Sequence, residues 1–83
     1  MKKAQEIKYE LTWFEKQSDA FIGKCLIDEI SLSELQKLFR QPPEEVMVYC
    51  YPVLSSHVEY LQKFVKHQIN LKLYDYFIEP YSS

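Results

Sequence analysis

The sequence predicts an α+β domain in which one four-stranded sheet has two helices packed on one face. Three observations support this fold class: period-two alternation near the N-terminus, two helix starts of the Ser-x-x-Glu type, and two later β-branched or aromatic runs. Their order along the chain is β-β-α-β-α-β. The 83 residues suffice for one small core. We expect a single domain over residues 1–83, with flexible tails at 1–5 and 80–83.

The first two predicted strands form a hairpin. Apolar and polar residues alternate through EIKYELTWF (6–14), which is typical of a strand with one buried face. A polar loop leads into AFIGKCLI (20–27), the returning strand. Because glycine is uncommon inside strands, Gly23 indicates either a bulge or a close approach of another backbone. We expect an antiparallel hairpin with Trp13 near its turn.

The first helix follows from its start and stop signals. Ser31 and Glu34 match a capping box, in which the side chain of each residue accepts a hydrogen bond from the backbone N–H of the other. Pro42 and Pro43 stop the helix, because the residue before a proline avoids helical dihedral angles. The apolar face of this helix is formed by Leu32, Leu35, Leu38 and Phe39.

The second half of the chain predicts strand, helix and strand. VMVYCY (46–51) has the composition of a buried strand, and Pro52 ends it because proline donates no backbone N–H. Ser56, with Glu59 three residues later, predicts the cap of the second helix. LKLYDYFI (71–78) is the last strand. Asp75 lies on an otherwise apolar face of that strand, so it needs a partner or a strand end near water.

The charge balance of the chain argues against a nucleic-acid partner. The net charge is −2, and residues 9–45 carry eight acids against four bases. A nucleic-acid-binding protein would usually show a clustered basic face, so we expect no nucleic-acid partner.

No run of about 18 apolar residues exists, and the N-terminus has no apolar signal-peptide region. We expect a soluble, cytoplasmic protein without a membrane partner.

No motif for catalysis, a cofactor or a metal emerges. Cys25 and Cys50 form no CxxC pair, and we expect both to be small buried side chains in a reducing compartment. His57 and His67 are ten residues apart, which does not fit metal ligation within one helix. A mid-strand Cys50 is more often packed than used as a nucleophile with His57. The chain is therefore expected to be no enzyme and to bind no metal or cofactor.

Acidic pairs and tyrosines are the candidates for binding a partner. The acids lie at element boundaries, and tyrosine is enriched at interfaces because it combines contact area with a polar tip. Alternatively, the acids are only solvated and the tyrosine rings complete the core. The candidate residues are Asp28, Glu29, Glu44, Glu45, Tyr74, Tyr76 and Glu79.

Four segments carry a resemblance to a family of small bacterial proteins described only as a domain of unknown function. They are YELTW (9–13), ISLSEL (30–35), CYPV (50–53) and YDYFIE (74–79). The family resembles immunity and antitoxin proteins in size and composition, and such proteins bind one toxin domain and block it. The resemblance implies a protein partner, which the acids and tyrosines would contact.

Two hypotheses for the function follow. The first is a non-enzymatic binding module of the immunity type, which occludes a basic toxin domain through the acidic residues and the tyrosines. The second is a structural or regulatory subunit that self-associates through an exposed edge strand, without a toxin partner. The chain would accordingly be a monomer or a homodimer when no partner is present.

Overall fold

The computed structural model describes residues 8–27 and 29–81. The elements follow one another in the predicted order. Their bounds are β1 Tyr9–Glu15, β2 Phe21–Ile27, α1 Leu32–Leu38, β3 Tyr51–Pro52, α2 Ser55–Gln62 and β4 Tyr74–Pro80. Within these residues, no helix has the length and apolar character needed to cross a membrane.

The four strands form one antiparallel sheet in the order β2-β1-β4-β3. The first and last strands are therefore neighbours at its centre, while β2 and β3 are its edges. Both helical connections lead between antiparallel strands, so the sheet contains no parallel crossover. This arrangement confirms the predicted α+β fold class.

Both helices pack on the same face of the sheet. Leu35 of α1 and Leu61 of α2 are fully buried in one cluster with Leu11 of β1 and Ile78 of β4. Burying a leucine side chain contributes about 1.5–3 kcal/mol, so this cluster holds the helices to the sheet. The other buried apolar residues are Tyr9, Trp13, Ile27, Ile30, Met47, Val53, Val65, Ile69 and Tyr76.

The β1–β2 hairpin has the predicted loop and an irregularity beside Gly23. Asp19 closes the loop with a φ of 59°, a conformation that aspartate tolerates better than most residues. Trp13 pairs with Gly23, whereas the next residue, Phe14, pairs with Phe21, so Ile22 is the extra residue of a bulge. A Cβ built on Gly23 would meet the Trp13 ring at 2.6 Å. Gly23 thus marks both a bulge and a close approach.

Helix α1 is capped at both ends. At its start, the Ser31 hydroxyl accepts the Glu34 N–H at 3.2 Å, and the Glu34 carboxylate accepts the Ser31 N–H at 3.1 Å. The predicted capping box is confirmed. At its end, Arg40 has a φ of 57° and donates its N–H to Lys37, while the N–H of Gln41 reaches the Gln36 carbonyl. This is a Schellman motif with arginine in the position that glycine usually occupies.

The third strand is much shorter than predicted. Residues 46–50 are not in a strand, and β3 consists of Tyr51 and Pro52 alone. Met47 has a φ of 58°, which interrupts an extended chain and turns its side chain into the core. Composition alone was therefore misleading. Pro52 is itself paired, as the last residue of β3, because an edge strand tolerates a missing N–H.

Two other boundaries differ from the prediction. Helix α2 begins at Ser55, and its cap residue is Leu54, whose N–H is accepted by His57 Nδ1 at 3.0 Å. The expected cap, Ser56, already lies inside the helix. His57 accepts the N–H of the cap residue, which is the role that Glu or Gln has at the third helical position of a capping box. The last strand begins at Tyr74, since residues 71–73 form a turn in which the N–H of Tyr74 reaches the carbonyl of Asn70.

Candidate functional site

The predicted acidic residues do not form one surface. Asp28 lies outside the described residues, and Glu29 is exposed just after β2. Glu44 is exposed in a turn beside α1, since Gln36 of α1 donates to the carbonyls on either side of it, at 3.0 Å and 2.6 Å. The carboxylate of Glu45 is partly buried and accepts the N–H of Met47 at 3.1 Å.

The two predicted tyrosines of β4 face the helices. Tyr76 is 1% exposed. Its hydroxyl lies 2.6 Å from Nε2 of His67 and accepts the N–H of Asn70 at 3.0 Å. Tyr74 is half-buried beside it, with the two rings edge to face at 6.2 Å. Tyr76 therefore offers no surface to a partner, because its ring is part of the core and its hydroxyl holds the segment before β4.

The opposite face of the sheet carries an aromatic cluster. Phe14 of β1 contacts Phe21 of β2 and Phe77 of β4, with ring centroids 5.7 Å and 5.9 Å apart and the rings edge to face. Phe21 is 56% exposed, and Leu26 of β2 is 42% exposed. Since both helices lie on the other side, we call this surface the outer face.

Two carboxylates stand side by side on the outer face. Glu10 of β1 and Glu79 of β4 are directly opposite each other in the strand register. Like charges in this position destabilise a sheet. The Thr12 hydroxyl donates to Glu79 at 2.7 Å, which stabilises one of the two carboxylates but leaves the pair negative.

The other charges of the outer face lie around this pair. Asp75, which was predicted to need a partner, forms an ion pair with Lys16 of the hairpin loop at 2.7 Å. Lys24 of β2 is aligned with Thr12 and is exposed. The outer face thus combines exposed aromatic rings with two adjacent carboxylates. A third carboxylate, that of Asp75, is neutralised by Lys16.

The cysteines are not the buried side chains that were predicted. Cys25 is partly exposed on an edge strand, and Cys50 is exposed because residues 46–50 form no packed strand. Partial burial of each sulfur raises the pKa of its thiol, and a nearby carboxylate raises it further, Glu10 for Cys25 and Glu79 for Cys50. A raised pKa disfavours the thiolate, which is the reactive form.

The histidines have structural contacts in the described part of the chain. Nδ1 of His57 caps α2, and its ring lies 4.3 Å from the ring of Phe39. His67 stacks on Trp13 with ring centroids 4.1 Å apart. Across residues 8–27 and 29–81, no three His, Cys, Asp or Glu side chains are grouped as a metal site would require.

Sequence reasoning missed most of the outer face. Alternation placed Glu10 and Thr12 together on the polar side of β1, but the neighbouring strand was unknown. The partnership of Glu10 with Glu79 depends on the pairing of β1 with β4, which joins residues far apart in sequence. Among the six predicted candidates that the structure describes, Glu79 alone lies on this surface.

These features define a small α+β domain with one helix-covered sheet face and one open aromatic and acidic face. The chain belongs to the family described as Domain of unknown function (DUF7683), whose model matches residues 8–79. The resemblance to an uncharacterised family of small domains is thereby confirmed. No curated protein matches the chain.

Proposed function

We propose that the chain is a non-enzymatic binding module of the immunity or antitoxin type, which docks its outer face on a basic surface of a partner protein. The observation that carries this proposal is the pair Glu10 and Glu79 beside the exposed aromatic cluster. Uncovered like charges cost stability in the free protein. A lysine or arginine from a partner would neutralise them.

The apolar part of the outer face supports the same proposal. Phe14, Phe21 and Phe77 form a continuous aromatic patch whose outermost ring is more than half exposed. Aromatic side chains dominate interface energies, and a polar rim around them is typical of a binding surface. The acids would steer the approach of a basic partner, and the rings would supply the contact area.

The chemistry of the thiols supports a role without catalysis. The raised pKa of Cys50 holds its sulfur as a thiol at neutral pH, and His57 Nδ1 is occupied by the N–H of Leu54. A nucleophilic cysteine needs the opposite arrangement, with a lowered pKa and a free imidazole nitrogen beside it.

A comparison of charge-reversal variants tests the proposed surface. The tagged chain is co-expressed with the products of neighbouring genes, and any stoichiometric partner is recovered and its affinity measured. We expect Glu10→Lys to weaken binding by about tenfold or more, because it replaces attraction by repulsion. Phe21→Ala should weaken binding as well, since it removes the exposed ring of the patch.

Glu44→Lys is the matched control, because Glu44 is an exposed acid beside α1 on the other side of the sheet. Its binding should equal that of the wild type. The proposal is wrong if Glu44→Lys loses the partner while Glu10→Lys and Phe21→Ala retain it. That result would instead indicate that the partner binds at Glu44 and Glu45, an acidic pair predicted from the sequence.

A further inference from the structure

A second concave surface lies between the end of α1, the edge strand β3 and the start of α2. It is an open groove of about 610 Å³ on the side of the sheet that carries the helices. We call it the interhelical groove. It is lined by Lys37, Leu38, Phe39, Arg40, Tyr51, Pro52, Leu54, Ser56 and His57.

The charge of the interhelical groove is opposite to that of the whole chain. The chain carries 12 acids and 10 bases, yet the described residues that line the groove include two cations, Lys37 and Arg40, and no carboxylate. The carboxylate of Glu45, which is not among the lining residues, accepts a hydrogen bond from the Tyr51 hydroxyl at 3.3 Å. The groove therefore offers a positive site to an anion.

His57 adds a hydrogen-bond donor that has no partner among the described residues. The side chain is 9% exposed, and its Nδ1 accepts the N–H of Leu54. A neutral imidazole that accepts through Nδ1 carries its proton on Nε2. Burial lowers the pKa of His57, which keeps the ring neutral. None of the described side-chain nitrogens and oxygens is both buried and without a hydrogen-bond partner, so this N–H is accessible to solvent. In the lining of the groove it is a position for a ligand's acceptor atom.

The start of α2 supplies further donors at the same place. Ser56 lies in the first turn of this eight-residue helix, and its side chain lines the groove. The His57 N–H already donates to the Leu54 carbonyl at 2.9 Å, so the donors left in this turn are the N–H groups of Ser55 and Ser56. They carry the partial positive charge of a helix start. Oxyanions bind well at such positions.

Arg40 has a backbone conformation that is unfavourable for most residues other than glycine. Its φ of 57° is the conformation in which glycine is favoured at the end of a helix. Arg40 nevertheless lines the groove, and guanidinium groups bind carboxylate or phosphate through two parallel hydrogen bonds.

The remaining wall of the groove is aromatic. The Phe39 ring lies 5.9 Å from that of Tyr51 and 4.3 Å from that of His57, measured between centroids. A flat apolar group could contact these rings while its charged end meets Arg40. Small-molecule sites commonly combine an apolar lining with a few placed polar groups in this way.

We propose that the interhelical groove binds a small organic oxyanion, a carboxylate or a phosphate attached to a flat apolar group. Arg40 and Lys37 neutralise its charge, Nε2 of His57 and the first turn of α2 donate hydrogen bonds to it, and Phe39 and Tyr51 contact its ring. This site is independent of the outer face, so either proposal can fail without the other.

Titration of the ¹⁵N-labelled chain with phenyl phosphate and, separately, with benzoate tests the site by NMR. We expect saturable shifts of the amide signals of residues 39–40 and 55–57 with at least one of the two anions. The comparison of the two identifies the preferred head group. Phenol is the uncharged control and should bind at least about tenfold more weakly, because it lacks the charge that Arg40 recognises.

Arg40→Gly separates loss of the site from loss of the fold. Glycine suits the backbone at this position, so the melting temperature should be unchanged or higher while anion affinity falls by about tenfold. Lys24→Gln, on the outer side of the sheet, is the charge-matched control and should bind like the wild type. The proposal is overturned if neither anion gives saturable shifts, or if Arg40→Gly binds as tightly as the wild type.

Discussion

The contact between Gly23 and Trp13 joins the one glycine of the chain to its one tryptophan. A Cβ on Gly23 would lie 2.6 Å from one carbon of the indole ring and 2.8 Å from another. The ring has little freedom to move away, because it is stacked on His67, which in turn is bound to Tyr76. Glycine is needed for space here, since its φ is not positive.

Gly23→Ala should therefore destabilise the chain. We expect a loss of about 1–3 kcal/mol in the free energy of unfolding, typical of overpacking at a tightly filled site. Urea unfolding followed by tryptophan fluorescence measures this loss directly, since Trp13 is the affected ring.

Lys24→Ala is the control for that change, because Lys24 is the exposed neighbour in the same strand. It should alter stability by no more than about 0.5 kcal/mol. If Gly23→Ala is as stable as the wild type, the sheet can relax around Trp13 and the close contact is not a constraint.

At this scale the sequence was informative about Gly23 but not about Met47. A glycine inside an alternating strand is visible as an exception. A methionine with a φ of 58° is not, because nothing in its type or neighbours predicts a left-handed backbone. Its conformation is imposed by the core, in which its side chain is completely buried.

Among the helices and strands, α1 is linked to α2 through its own cap. The carboxylate of Glu34 accepts the N–H and the hydroxyl of Ser31, and its second oxygen accepts the hydroxyl of Tyr60 at 3.0 Å. The hydrogen bond from the Ser31 N–H lowers the pKa of Glu34 most, followed by that from Tyr60. One carboxylate thus serves both helices.

The lowered pKa of Glu34 makes part of the stability depend on pH. Because the folded pKa is below the ordinary value of 4.5, this contribution is present above pH 4.5 and is lost as the pH falls through the folded pKa. Glu34→Gln should be less stable than the wild type at neutral pH, and the two should converge in acid. Urea unfolding at a series of pH values measures the convergence.

Glu59→Gln is the matched variant, since Glu59 is an exposed glutamate on α2. Its difference from the wild type should vary less with pH than that of Glu34→Gln. Parallel curves for Glu34→Gln and the wild type from neutral to acid pH would show that the cap works equally well with a protonated carboxyl group.

Elements marked by local chemistry were predicted well, whereas those that depend on long-range contacts were not. Ser31 and Glu34 are sufficient to cap α1, so their spacing was a reliable signal. The start of α2 has Leu54 as its cap residue and uses His57 where a capping box has Glu or Gln, a combination that the Ser-x-x-Glu pattern does not describe. Of the strand expected over residues 46–51, only Tyr51 pairs with β4, because the availability of a partner strand cannot be read from composition.

For the whole molecule, the two edges of the sheet decide whether it associates with itself. β2 is the longer edge, with seven residues and exposed side chains at Phe21, Ile22 and Leu26. It also carries a bulge at Ile22 and an exposed Lys24, both of which hinder pairing with another strand.

We therefore expect a monomer in the absence of a partner. Sedimentation velocity over a wide range of concentrations should give one unchanging species. A dimer that forms with increasing concentration and is abolished by Ile22→Lys would instead support the self-associating subunit.

The outer face was beyond sequence reasoning for a reason that belongs to the whole molecule. The alternation in β1 and β4 shows which residues share a side of each strand, but a surface needs the register between strands. A register shift of one residue would move every side chain of β4 to the other face. Only the observed pairing brings Glu79 beside Glu10.

Because the first and last strands are neighbours at the centre of the sheet, the outer face forms late in the synthesis of the chain. The Thr12–Glu79 hydrogen bond joins residues 67 positions apart. Contacts this distant in sequence slow folding, because a long loop must close before they form. A nascent chain on the ribosome has neither Glu79 nor Phe77 available to β1, so the outer face, the proposed docking surface, is complete only after translation has passed β4.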